Sequence, residues 1–178
     1  MSVQEVILVD ENDQMVGTLE KMEAHVKGLL HRAFSVFVFN DKGAMLLQQR
    51  ALDKYHCGGL WTNACCSHPL PGESNSQAAE RRLQEELGFT TQVEEIFDFT
   101  YRAEFSNGLT EYEFDHVFVA NYDGPMDLNP KEVKECSYLS LDEITDMLVT
   151  HPNRFTPWFH LAFPKVKDWY KNNSSQNN

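Results

Sequence analysis

Residues 73–89 read ESNSQAAERRLQEELGF, and this stretch decides how the rest of the chain is understood. Ser74 followed by Gln77 has capping-box spacing, in which each side chain satisfies a backbone N–H that a helix start leaves open. Gly88 stands where a helix end favours positive φ. The spacing predicts a helix over residues 75–87. On that helix Arg82, Glu85 and Glu86 fall at i, i+3 and i+4 and share one face. Hard carboxylate oxygens on such a face suit Mg²⁺.

Outward from the helix, the apolar pattern changes to that of strands. Upstream, VILVD (6–10) and MVGTLE (15–20) flank Glu11-Asn12-Asp13-Gln14 and read as a hairpin. HRAFSVFVFN (31–40) is apolar enough for a buried strand, and Asp41-Lys42-Gly43 turns it into AMLLQQR (44–50). Residues 51–72 read as loop, punctuated by Gly58, Gly59, Pro69, Pro71 and Gly72. Downstream, VEEIFDFTYRAEF (93–105) and LTEYEFDHVFVANY (109–122) meet through Asn107-Gly108, a strong short hairpin signal. Ser140 and Glu143 cap a helix over 141–149, and a last helical stretch covers 158–170. The tail KNNSSQNN (171–178) has nothing to bury and is expected to be disordered. No repeat or linker interrupts 1–170, so a single α+β domain is expected, a mixed sheet with helices packed on it.

Composition bounds the function. The chain has 178 residues, 42% hydrophobic and 24% charged, which excludes disordered and collagen-like classes. Its net charge of −12 repels phosphate backbones and anionic lipid, so neither nucleic acid nor membrane is an expected partner. The start carries no basic segment followed by a long apolar one, as a signal peptide would. Cys57, Cys65, Cys66 and Cys136 are too few, and two of them too close, for a disulfide scaffold, so reduced thiols and a cytoplasmic location are expected.

Glu73, seven residues, then Arg81-Arg82-Leu83-Gln84-Glu85-Glu86-Leu87-Gly88-Phe89 resembles the Nudix box, Gly-x5-Glu-x7-Arg-Glu-U-x-Glu-Glu-x-Gly-U. Two positions depart from it. Ser67 stands where the box has its first Gly, and Arg82 stands where it has a metal-binding Glu. A guanidinium there weakens a hydrolytic metal cluster and suits direct pairing with phosphate.

Further blocks appear in order: Gly17 to Lys21 with His25 and His31, the run Thr62 to Pro69, Glu111-Tyr112-Glu113, and Thr156-Pro157-Trp158. Together they resemble the type 1 isopentenyl-diphosphate isomerases, Nudix-fold enzymes that isomerise rather than hydrolyse. The resemblance runs from about Val6 to about Trp158. It implies an octahedral metal site of His25, His31, His68, Glu111 and Glu113, filled by Mn²⁺, Mg²⁺ or Zn²⁺. It implies a second Mg²⁺ bridging the diphosphate with help from Glu86, and no flavin. Lys21, Arg50, Lys54 and Arg82 match positions that hold the diphosphate.

Catalytic roles fall by the same resemblance to Cys66, Glu113, Tyr101 and Trp158, the last facing the hydrocarbon end of an isoprenoid diphosphate. Which of Cys66 and Glu113 gives the proton and which takes it stays open, as does a monomer or homodimer. In an extended segment Cys65 faces away from Cys66 and is expected to be core. The rival reading is a pyrophosphohydrolase, which would need the full acidic box that Arg82 interrupts.

Overall fold

A computed structural model describes residues 3–174. β1 (Glu5–Val9) and β2 (Met15–Glu20) form the expected antiparallel hairpin. A short helix the sequence did not announce, α1 (Lys21–Lys27), follows directly. Its N-cap is Glu20, whose carboxylate accepts from the N–H groups of Met22 and Glu23 at 2.9 and 2.8 Å. Glu is not a preferred cap, and seven residues are too few to show a helical period.

β3 (His31–Phe39) and β4 (Met45–Arg50) follow as expected. The segment read as loop contains two short strands, β5 (Trp61–Thr62) and β6 (Cys65–Ser67). α2 (Asn75–Leu87) has both halves of the Ser74–Gln77 capping box and Gly88 at φ 74°. A Cβ at Gly88 would lie 2.6 Å from the carbonyl oxygen of Asp127, so glycine is required there by space as well as by dihedral. The long hairpin of β7 (Val93–Glu104) and β8 (Thr110–Asn121) comes next, then β9 (Val133–Leu139), which the sequence pattern did not reveal. α3 (Leu141–Thr150) and α4 (Pro157–Ser174) complete the chain. α4 makes residues 171–174 helical where a tail was expected; the rest of that tail, 175–178, lies outside the described residues.

All nine strands of the described residues join one mixed sheet, in agreement with the α+β expectation. β3 is its hub, parallel to β8 on one side and antiparallel to β6 on the other. Alternation along β3 divides the core. Phe34, Val36 and Val38 pack with Ala78, Ala79, Leu83 and Leu87 of α2. Phe37 and Phe39 pack with Ile144 of α3 and Phe159, Ala162 and Phe163 of α4. Truncating any one of the buried leucines to Ala would cost about 2–5 kcal/mol. The same alternation continues toward the start of β3 as His31, Ala33 and Ser35, and this polar end of the α4-side face carries the site.

Candidate active site

Strand register brings the site together. His31 pairs with Glu113, and Ser35 with Cys66. On the other side of β8, Tyr101 pairs with Glu113. Because β6 is extended, Cys65 is fully buried in the α2 core while Cys66 turns to the opposite face and lines a cavity. Lys21, Arg50, Lys54, Arg82, Tyr101 and Trp158 line the same cavity, as do Glu111, Glu113 and His68.

The sulfur of Cys66 is held by three polar neighbours. Its thiol donates to Asn63 Oδ1 at 3.1 Å, the Trp158 indole N–H donates to Sγ at 3.0 Å, and Ser35 Oγ lies 3.5 Å away. Burial, followed by the charge of Asp115, pushes the thiol up to about 12. At neutral pH Cys66 therefore carries its proton. Asp115 accepts from Ser35 at 2.7 Å and is raised well above the carboxylate range by burial and by Glu113.

In the same cavity, the Tyr101 hydroxyl is 2.6 Å from Glu113 Oε2 and 2.8 Å from Glu111 Oε2, one O–H bridging two carboxylates. Burial opposes ionisation of Glu113, but contacts from His31 and His68 outweigh it and hold Glu113 well below the usual range. Burial and the Glu113 charge raise Glu111. The two carboxylates, two residues apart on one strand, are thus shifted in opposite directions.

Of the five metal ligands expected, four converge. One ligand atom each from His25, His31, His68 and Glu113 lies within 4.8 Å of the others. Glu111 falls instead into an adjoining group with His25 and His56, a histidine that the sequence reading did not single out. The four residues suit a divalent cation on structural grounds. His25 Nδ1 donates to the Lys21 carbonyl at 2.6 Å and His31 Nδ1 to the Leu29 carbonyl at 2.8 Å. Such outer contacts turn the Nε2 lone pairs inward, as in metal-ligating histidines. Both Nε2 atoms are buried with no hydrogen-bond partner among the described residues, a cost that a cation would remove. Burial lowers His25 to about 4 and His68 to about 3, so both are neutral and ready to ligate.

The basic residues line the same cavity, and acids partly neutralise Arg82 and Lys54. Arg82 donates to Glu85 at 2.7 Å and to the buried Glu86 at 2.6 Å, and Glu86 also accepts from Gln48 at 3.0 Å. Lys54 pairs with Glu132, which lies 3.5 Å from Arg82 as well. Nothing near Glu132 in sequence marked it as part of the site. Arg50 lies 5.4 Å from the Trp158 ring centre, and Lys21 lies 4.7 Å from that of Tyr55. Burial, then Lys54, Arg82 and Arg50, lower Lys21 to about 8, the mark of cations gathered without enough anion. Glu73 and Arg81 of the box are bound to each other at 2.7 and 2.9 Å, anchoring the loop before α2.

The NUDIX domain profile matches residues 29–159. A protein of known structure from Deinococcus radiodurans superposes with a TM-score of 0.67 at 18% identity, covering 83% of this chain and 90% of that one. The MutT protein of Methanosarcina mazei superposes at 0.61 with 20% identity, covering 84% and 96%. Both define a Nudix fold. At the level of sequence, the isopentenyl-diphosphate Delta-isomerase of Pectobacterium atrosepticum is 50% identical over 171 residues, 96% of each chain. That of Serratia proteamaculans is 47% identical over 154 residues, 86% of each. The chain belongs to the isopentenyl-diphosphate Delta-isomerase family of Nudix-fold proteins. Among the described residues no helix is long and apolar enough to cross a membrane.

Proposed function

We propose that this enzyme interconverts isopentenyl and dimethylallyl diphosphate, with Cys66 and Glu113 as its proton-transfer pair. The observation that carries the residue assignment is the contrast between them: a half-buried thiol raised to about 12 and a buried carboxylate held ionised, both on one cavity. Moving the double bond requires a proton to enter at one allylic terminus and another to leave from the opposite one. Starting from the resting distribution, Cys66 holds the proton to be given and Glu113 is the acceptor. Tyr101 keeps Glu113 oriented, and Asn63, Ser35 and Trp158 keep the sulfur oriented. The tertiary cation that develops would meet the Trp158 ring, a contact worth ~2 kcal/mol once water is excluded.

Lys21, Arg50, Lys54 and Arg82 bind the diphosphate, which takes no part in bond making. Its binding energy orients a short hydrocarbon that offers little else to hold. Glu86 is the residue of α2 that would support a Mg²⁺ bound to the diphosphate, once phosphate draws Arg82 away. His25, His31, His68, Glu111 and Glu113 would hold Mn²⁺, Mg²⁺ or Zn²⁺, a charge that lowers the proton affinity of Glu113. A cytoplasmic setting accords with the free thiols. The rival hydrolytic activity is disfavoured because Arg82 neutralises two carboxylates of the helix face. Incubation with isopentenyl diphosphate and Mg²⁺ separates the two: acid-labile allylic product supports isomerisation, and released phosphate without it overturns the proposal.

A further inference from the structure

His56 lies outside the ligand set that the family resemblance implies. Its side chain is only 2% exposed, and neither ring nitrogen has hydrogen-bond geometry to any partner among the described residues. Nδ1 is left without a partner and Nε2 has only the Glu111 carboxylate beside it, a costly burial unless something else binds the ring. Nε2 lies 2.7 Å from Glu111 Oε1, and His56 groups with Glu111 and with His25, a member of the converging four, as ligand atoms within 4.8 Å. Bonds of about 2.1 Å at right angles put neighbouring ligand atoms about 3 Å apart. His68 Nε2 and Glu113 Oε1, two of the converging four, are 2.9 Å apart, the same kind of spacing.

The ring is also held firmly. It stacks on Phe105 with centroids 4.8 Å apart and planes 8° from parallel, and Tyr55 meets it edge-on at 4.3 Å. The next residue, Cys57, takes φ 52°, a left-handed conformation that a non-glycine residue adopts under constraint. Gly58 follows, and a Cβ there would collide with the carbonyl oxygen of Leu52. The loop is thus bent tightly where it presents His56 to Glu111.

We infer that His56 is a further protein ligand of the histidine–glutamate metal centre, binding through Nε2 beside Glu111 and closing a six-ligand shell. This rests on the reading of His25, His31, His68, Glu111 and Glu113 as that centre. A closed shell leaves no position for water or substrate, so the cation acts only on the groups that bind it.

The test is the proton relaxivity of water around the Mn²⁺-loaded full chain, together with its Mn²⁺ affinity. The wild-type protein is expected to show no exchanging water on Mn²⁺. His56→Ala is expected to admit one and to weaken Mn²⁺ binding by at least the roughly 10- to 100-fold that even an outer-shell partner costs. The wild-type result needs no variant, so it decides the matter if His56→Ala fails to fold. Bound Mn²⁺ carrying an exchanging water in the wild type, or a folded His56→Ala protein unchanged in both readouts, would overturn the role of His56 alone. A wild-type chain that binds no Mn²⁺ would instead overturn the metal centre, and this inference with it.

Discussion

The indole N–H of Trp158 donates to the sulfur of Cys66 over 3.0 Å. The first turn of α4 is therefore coupled to the loop strand β6, 92 residues earlier in the chain. Trp158 does more than wall the cavity, because it directs a lone pair of the sulfur and so fixes where the thiol proton points.

Trp158→Phe keeps an aromatic face and removes that donor. One lost hydrogen bond corresponds to about 0.5–1.5 kcal/mol, so kcat should fall roughly 2- to 10-fold if the role is positional. Trp158→Ala also removes the π face and should fall much further. Steady-state kinetics of the two variants check this; an unchanged kcat in Trp158→Phe would mean that the hydrogen bond contributes nothing, and equal losses in both that the π face adds nothing.

Arg82→Glu rebuilds the acidic helix face of a hydrolase but puts a third carboxylate beside Glu85 and Glu86 and leaves Lys54 and Glu132 without their neighbour. Breaking a fully buried ion pair costs about 3–5 kcal/mol, and the loss should be smaller here because Arg82 and Glu85 are partly exposed. The variant should melt earlier without Mg²⁺, recover part of the loss when Mg²⁺ is added, and lose isomerisation. Thermal melts with and without Mg²⁺, beside an isomerase assay, read all three effects.

Much of this architecture is legible in the sequence where its cause is local. α2 announces itself because Ser74, Gln77 and Gly88 satisfy their own helix ends. The β7–β8 hairpin is legible from Asn107-Gly108 between two apolar runs. α1 is not, because its cap is Glu20 and its length is a mere two turns. β9 is hidden by Lys134 and Glu135, which stay exposed on a strand held only through β4.

The site follows the same rule. Alternation alone separates Cys65 from Cys66, whereas the parallel register that sets His31 beside Glu113 depends on segments 82 residues apart in number, as 31 and 113. Glu132 was invisible for that reason, since its partners Lys54 and Arg82 are distant in sequence. His56 had one available signal: it is a histidine two residues before Gly58-Gly59 in a loop of otherwise small or polar residues, Asp53 to Gly59 apart from Tyr55.

Lys21 sets a pH dependence. Its ammonium is lowered to about 8 by burial and by neighbouring cations, and a bound diphosphate favours the charged form. Affinity is therefore full below about pH 8 and falls as pH rises above it, by up to about tenfold per unit. Calorimetric titration with inorganic pyrophosphate between about pH 6.5 and 9.5 should show this fall, and Lys21→Arg should flatten it. An affinity that rises with pH in the wild type would remove Lys21 from the anion site.

The proposed mechanism requires that Cys66, and not Cys65, exchange a proton with the substrate. It is tested most directly by following isopentenyl diphosphate in deuterated water by NMR with the wild type, Cys65→Ala and Cys66→Ala. The wild type should yield dimethylallyl diphosphate carrying deuterium, with no free phosphate. Cys65→Ala should do the same at a similar rate, losing on the order of 1 kcal/mol of stability from a small buried side chain. Cys66→Ala should bind the diphosphate and give neither product nor exchange. Allylic product from Cys66→Ala at the wild-type rate, or its loss in Cys65→Ala alone, would remove Cys66 from the proton transfer.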